Sequence, residues 1–160
     1  MIYVNAAKMI ADRNRQEGEE IGITNGCFDL FHAGHVNFLR SCASQCSFLL
    51  VGINTDRSVQ KLKGSGKPIM GENDRLAVVQ SCRYVGQAFL FPELRFDSCI
   101  TEIRPHVWFK GSDYSLETLD AQELAAAKAC ETAIVIIPEI VPVRTSSIID
   151  RIIATSCPKG

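Results

Sequence analysis

Five short apolar runs alternate with longer amphipathic segments along this chain, and that alternation restricts the fold more than any other feature. The runs are EIGITN (20–25), SFLLVGIN (47–54), YVGQAFLF (84–91), HVWFKG (106–111) and TAIVIIP (132–138). Several are apolar at successive positions, the pattern of strands covered on both faces. Helices are expected between them over 5–17 with Asn5 as cap, 34–46, 72–82, 97–104 stopping before Pro105, 120–130 and 145–153. Asp120 followed by Glu123 has capping-box spacing. Strands separated by helices imply right-handed crossovers and a parallel sheet. The expectation is therefore an α/β fold, a doubly wound parallel five-stranded sheet with helices on both faces. A length of 160 residues suits one domain, with a lead-in helix at 5–17 and a core over 20–153. Such sheets bind ligands beyond the carboxyl ends of their strands, which directs attention to 24–35, 54–67, 110–114 and 138–147.

Charge and cysteine usage exclude several function classes. Seventeen basic and 18 acidic residues give a net charge of −1, without the basic excess of a general nucleic-acid binder. An anionic ligand must then be held by local geometry. No apolar run approaches the length of a membrane span, and the highly charged 11–20 region does not belong to a secretory signal. The seven cysteines, at 27, 42, 46, 82, 99, 130 and 157, are odd in number and form no CxxC pair. Neither a disulfide framework nor a zinc ribbon is indicated, and the thiols read as those of a reducing, cytoplasmic setting. Cys42 and Cys46, four apart on an expected helix, would share a face.

The stretch NGCFDLFHAGH (25–35) holds two of the three histidines in the first βα turn. Gly26 is expected to let the backbone turn, and Gly34 to let a ligand approach the start of the next helix. The free N–H groups and positive dipole end of that helix favour an anion. His32 and His35 are three apart and can point to one side, where two imidazoles would donate hydrogen bonds to a phosphate chain and a polyanion would favour their charged forms. Two other readings stay open: a metal site using His32, His35 and Asp29, and histidines that merely pack. The dinucleotide fingerprint GxGxxG is absent from this turn. GSGK (64–67) is not a P-loop, because Pro68 stands where Ser or Thr is needed. It reads as a flexible basic loop with Lys61, Lys63 and Lys67, either closing over a phosphate or simply solvated.

NGCFDLFHAGHVNFLR resembles the first signature of the cytidylyltransferase-like nucleotidyltransferases, the HxGH enzymes. VGINTDRSVQKLKGSGKPIMGENDR (51–75), RPHVWFKGSDY (104–114) and RTSSIIDRI (144–152) resemble the branch of that family that joins ATP to D-glycero-β-D-manno-heptose 1-phosphate. The resemblance runs from about residue 5 to 153. It implies a Rossmann-like version of the expected sheet and an adenylyltransferase that forms ADP-heptose and pyrophosphate. Other phosphorylated acceptors (glycerol phosphate, a pantetheine phosphate, a flavin precursor) and a non-catalytic nucleotide-binding relative are the alternatives. Many relatives are fused to a sugar kinase, and this chain, beginning at Met1 with a short lead-in helix, reads as a stand-alone form. A homodimer and Mg²⁺ accompanying ATP are further implications.

Transferred residue by residue, the resemblance makes His32, His35 and Lys110 catalytic. Asn25, Gly26, Cys27, Phe28, Gly34, Gly111, Asp113, Tyr114, Thr145, Ser146 and Ser147 would contact the nucleotide. Asp29, Lys63, Lys67 and Arg75 would serve the substrate side, Asp29 by ordering the loop, Arg75 either by binding the sugar phosphate or as a structural salt bridge. Relatives usually carry Ser-Thr-Thr after a glycine near the last helix; here Thr145-Ser146-Ser147 follow Val143 and Arg144. Cys27 also suggests a rival mechanism, a thiolate nucleophile partnered by His32.

Overall fold

The computed structural model describes residues 3–139, 141 and 143–156. Its elements are α1 (Val4–Gln16), β1 (Ile21–Gly26), α2 (Ala33–Ala43), β2 (Phe48–Asn54), α3 (Asp56–Lys63), α4 (Glu72–Gln80), β3 (Gln87–Phe91), α5 (Asp97–Ile103), β4 (Val107–Gly111), α6 (Ala121–Ala129), β5 (Ala133–Ile137) and α7 (Thr145–Ser156). The five strands form one parallel sheet in the order β3-β2-β1-β4-β5. The chain winds outward from β1 to β3, then crosses back to lay β4 against the other side of β1, with Thr24 opposite Phe109. The switch point lies between β1 and β4, where this Rossmann-like topology opens a crevice.

Alternation along the strands divides the core into two layers. Ile21, Ile23, Leu50, Phe89, Phe91 and Trp108 face α1, α5 and α6. Leu49, Val51, Ile53, Ala88, Leu90 and Phe109 face α2 and α4. Helices thus cover both faces, as doubly apolar strands require. Among the described residues, no helix is long and apolar enough to cross a membrane.

Several local expectations are corrected. Lys61 and Lys63, expected in a basic loop over 61–67, instead sit in the last turn of a helix: Thr55 accepts from the Ser58 amide and caps α3. The cap of α1 is Tyr3, not Asn5. The third strand begins at Gln87, three residues late, because a turn donates from Val85 N–H to the Cys82 carbonyl. Asp120 does cap α6, accepting from the Gln122 and Glu123 amides, but Glu123 reaches to the Phe96 amide instead of back to Asp120. Cys46 lies beyond the end of α2, its thiol against the Cys42 carbonyl, and burial pushes the Cys46 thiol up to about 11. Both thiols are free. Cys157 lies outside the described residues.

Candidate active site

A cavity of about 1060 Å³ opens along the carboxyl ends of the strands. Its floor is the turn between β1 and α2. Gly26, expected from sequence to let the backbone turn, is instead the last residue of β1, and the left-handed positions are Phe28 (φ 52°) and Leu30 (φ 46°). Phe28 tolerates the strain because its ring is buried, 5.3 Å from the His35 ring. Gly34 is required by space: a Cβ there would lie 2.9 Å from both the His32 ring and the Val143 carbonyl.

His32 caps α2. Its Nδ1 accepts from the Gly34 amide at 3.1 Å, and the His35 Nδ1 accepts from the His32 amide at 3.3 Å. The rings stack with centroids 3.8 Å apart. Burial lowers the pKa of both, and that of His35, further lowered by the neighbouring His32 and Lys63, falls to about 4. Each ring is therefore neutral at pH 7, with its proton on Nε2, since both Nδ1 atoms accept. At pH 7 the pair is a double donor without net charge; the charged forms are what a polyanion beside the rings would favour.

Asp29 is nearly buried, and its carboxylate accepts from the Ile69 and Met70 amides at 2.8 and 2.9 Å. Its carbonyl accepts from the Thr145 hydroxyl at 3.0 Å, tying the start of α7 to the same turn. A metal site of Asp29, His32 and His35 is not formed: among the described residues no three His, Cys, Asp or Glu side chains are placed to hold an ion.

Lys110 enters from β4 and is 5% exposed. Its ammonium stands 4.0 Å from the Tyr114 ring centre and 4.9 Å from that of Trp108. Burial lowers its pKa, while Glu123 and Asp113 work against that shift. Among the described residues it forms no salt bridge. Trp108 in turn donates from its indole to the Asn25 side chain at 3.1 Å, fixing the end of β1. Three of the cavity's carboxylates are engaged elsewhere, Asp29 by backbone amides, Asp120 by the α6 cap and Glu123 by Phe96, and Asp113 lies near Lys110 without forming a salt bridge to it among the described residues. A buried cation held on aromatic faces is thus left to meet an anion in the cavity.

Of the sequence candidates, Asn25, Gly26, Cys27, Phe28, Asp29, His32, Gly34, His35, Lys63, Lys67, Lys110, Gly111, Asp113, Tyr114, Thr145 and Ser146 line this one cavity. Ser147 is exposed and does not. Arg75 does not either, correcting its assignment to the sugar phosphate. It is fully buried and donates to the carbonyls of Cys27, Asn54 and Met70 and to the Asp56 carboxylate. Cys27 has the Asn54 side-chain oxygen, at 4.0 Å, as its thiol partner and no hydrogen bond to a histidine. The cavity also takes in Asn54, at the start of the flagged segment 54–67, and Leu94, Arg95 and Glu123, which sequence reasoning did not assign to the site. Leu94 and Arg95 lie three and four residues beyond the end of β3, so their signal was nearness to a strand end.

Comparison with known proteins agrees with this geometry. The family model described as cytidylyltransferase-like matches residues 23–151. The bifunctional protein HldE of Nitrobacter winogradskyi is 40% identical over 137 residues, covering 86% of this chain and 28% of that protein. HldE of Acidiphilium cryptum is 44% identical over 114 residues, 71% of this chain and 24% of that protein. The chain therefore spans about a quarter of these relatives' length. The crystal structure of the lipopolysaccharide core biosynthesis protein from Thermoplasma volcanium GSS1 superposes with a TM-score of 0.61 at 26% identity, covering 76% of this chain and 97% of that one. Pantoate-beta-alanine ligase from Francisella tularensis, solved with an ATP analogue and beta-alanine, shares the fold at 14% identity, with a TM-score of 0.58 over 91% of this chain and 68% of that one. With the matched span covering the whole cavity from β1 to α7, this chain belongs to the cytidylyltransferase-like family of nucleotidyltransferases.

Proposed function

We propose that the protein transfers AMP from MgATP to D-glycero-β-D-manno-heptose 1-phosphate, giving ADP-heptose and pyrophosphate. The observation that carries nucleotidyl transfer is Lys110, a nearly buried ammonium without an ion-pair partner among the described residues, in one cavity with two neutral histidines. The heptose acceptor is supported by the resemblance of segments 51–75, 104–114 and 144–152, and by likeness to HldE proteins and to a lipopolysaccharide core biosynthesis protein.

An oxygen of the acceptor phosphate attacks the α-phosphorus of ATP. The bond from that phosphorus to the bridging oxygen breaks, and pyrophosphate leaves. The attacking oxygen is already ionised near neutral pH, so no general base and no covalent nucleophile are needed. Catalysis then rests on positioning and charge stabilisation. The His32 and His35 Nε2–H groups donate to the triphosphate, and Lys110 neutralises charge as it builds on the α-phosphate. Amides at the start of α7, near Thr145 and Ser146, receive the outer phosphates. The Thr145 hydroxyl donates to the Asp29 carbonyl and so serves the loop instead of the phosphate. Lys63 and Lys67 bind the acceptor phosphate from the other side. Mg²⁺ enters with the nucleotide as part of the substrate, held by phosphate oxygens and water.

The test is pyrophosphate release with heptose 1-phosphate and Mg²⁺, comparing ATP with CTP. Turnover with ATP and not CTP is expected. Turnover with CTP alone, or only with a different phosphorylated acceptor, overturns this reading in favour of another transferase of the same family.

A further inference from the structure

The segment that joins α3 to α4 carries Lys67 into the cavity, yet little apolar burial holds it there. Gly64, Ser65 and Gly66 are exposed, and Ile69 is 56% exposed. What ties the segment to the body of the protein is polar. Asp29 receives both the Ile69 and Met70 amides. The Met70 carbonyl receives the Nε of Arg75 at 3.0 Å. Arg75 then donates to Cys27 O at 2.6 Å and to Asn54 O at 2.8 Å. These are the backbones of the histidine loop and of the end of β2. A fourth bond, 2.7 Å long, pairs it with Asp56 at the start of α3. Two charged side chains on different elements thus grip the same dipeptide, Ile69-Met70, and hold it against the turn that presents His32 and His35.

We infer that Asp29 and Arg75 form a positioning clasp that fixes Lys67 relative to the histidine loop and thereby sets affinity for the phosphorylated acceptor, without either residue touching it. This rests on the proposed function only in taking Lys67 as an acceptor contact. Burying a guanidinium is costly unless every donor is matched, and here the matches run to three backbone segments that wall the cavity, not to core neighbours. The carboxylate–amide bonds are charge-assisted, so their loss is felt more than that of an ordinary loop contact.

The experiment is a double-mutant cycle in the pyrophosphate-release assay. Asp29→Asn swaps one accepting oxygen for an NH₂ that faces an amide donor. It is expected to raise the KM for heptose 1-phosphate about tenfold or more, the scale of one lost charge-assisted bond, with the KM for ATP changed less than about threefold. In the Lys67→Ala background the same substitution should change the acceptor KM by less than about twofold, because its effect runs through Lys67. Equal effects in the two backgrounds, or an effect on kcat alone, overturns the clasp. Amide hydrogen exchange of the full chain gives a readout that needs no substrate. Ile69 and Met70 should exchange faster in Asp29→Asn and in Arg75→Lys, and unchanged exchange overturns the clasp. A wild-type protein that releases no pyrophosphate with this acceptor defeats the functional reading instead, and exchange then decides the clasp separately.

Discussion

His32 and His35 stack at 3.8 Å, an arrangement that two imidazolium ions would resist. Burial keeps both neutral, so at the residue scale the pair acts by donating hydrogen bonds. His35→Ala should lower kcat by about 100-fold or more, the scale of one lost transition-state donor, whereas Cys27→Ser should retain most activity, since its thiol has no histidine partner. Steady-state kinetics on both variants checks this, and near-total loss in Cys27→Ser would restore the thiolate mechanism. The His35 shift also has a consequence for stability. Its pKa falls from 6.5 in the unfolded chain to about 4 in the fold, so between those values the unfolded state binds more protons. Its contribution to stability should drop as the pH falls through that window and level off below it. Denaturant unfolding at pH 7, 5 and 4 should therefore show a steeper acid loss in the wild type than in His35→Gln; parallel profiles would reject the shift. None of this protonation chemistry is visible in the residue spacing, which shows two imidazoles side by side and not how deeply they are buried.

At the scale of elements, the strands were the most legible part of the chain. Each apolar run became a strand, because a parallel sheet covered on both sides needs apolar side chains at successive positions. Helix α3 was hidden for the opposite reason. Its apolar residues are few, and the glycines and lysines around 61–67 read as a loop. Thr55 followed by Asp56 was the available signal, a cap and an acidic first turn. Glu123 shows the limit of local pattern: its spacing from Asp120 fits a capping box, but the Phe96 amide, 27 residues back along the chain, claims its carboxylate. The cap by Asp120 itself is independent of that tertiary contact. Asp120→Ala should cost about 1 kcal/mol and lower Tm by about 2–4 °C in a chain of this size, as read by thermal unfolding. No change in Tm would mean that solvent replaces both of its bonds.

Across the whole molecule, the site is assembled from the carboxyl ends of all five strands, and the topology explains which parts could be anticipated. Residues following β1, β4 and β5 carry distinctive types, namely histidines, a strand-end lysine and hydroxyls, and the sequence pointed to them. Leu94 and Arg95 after β3 have no such distinction, and only the sheet order brings them to the same opening. Arg75 was ambiguous because one sequence position cannot say whether a guanidinium faces solvent or is enclosed; the fold encloses it. The six carboxylates that line the cavity beside five lysines and arginines also bear on how a chain of net charge −1 can present an anion site: three of them, Asp29, Asp120 and Glu123, are turned to backbone amides, and Lys110 is not so engaged. That placement of Lys110 has an optical consequence. It stands above Trp108, the chain's single tryptophan, whose indole N–H is fixed on Asn25. All tryptophan emission therefore originates directly beneath the cavity floor. A phosphate drawing the ammonium off the ring should change the intensity or wavelength of that emission, so titration with MgATP in a fluorimeter should report occupancy without any attached dye. In Lys110→Met the signal should no longer respond; an equal response would mean that the light follows some other movement.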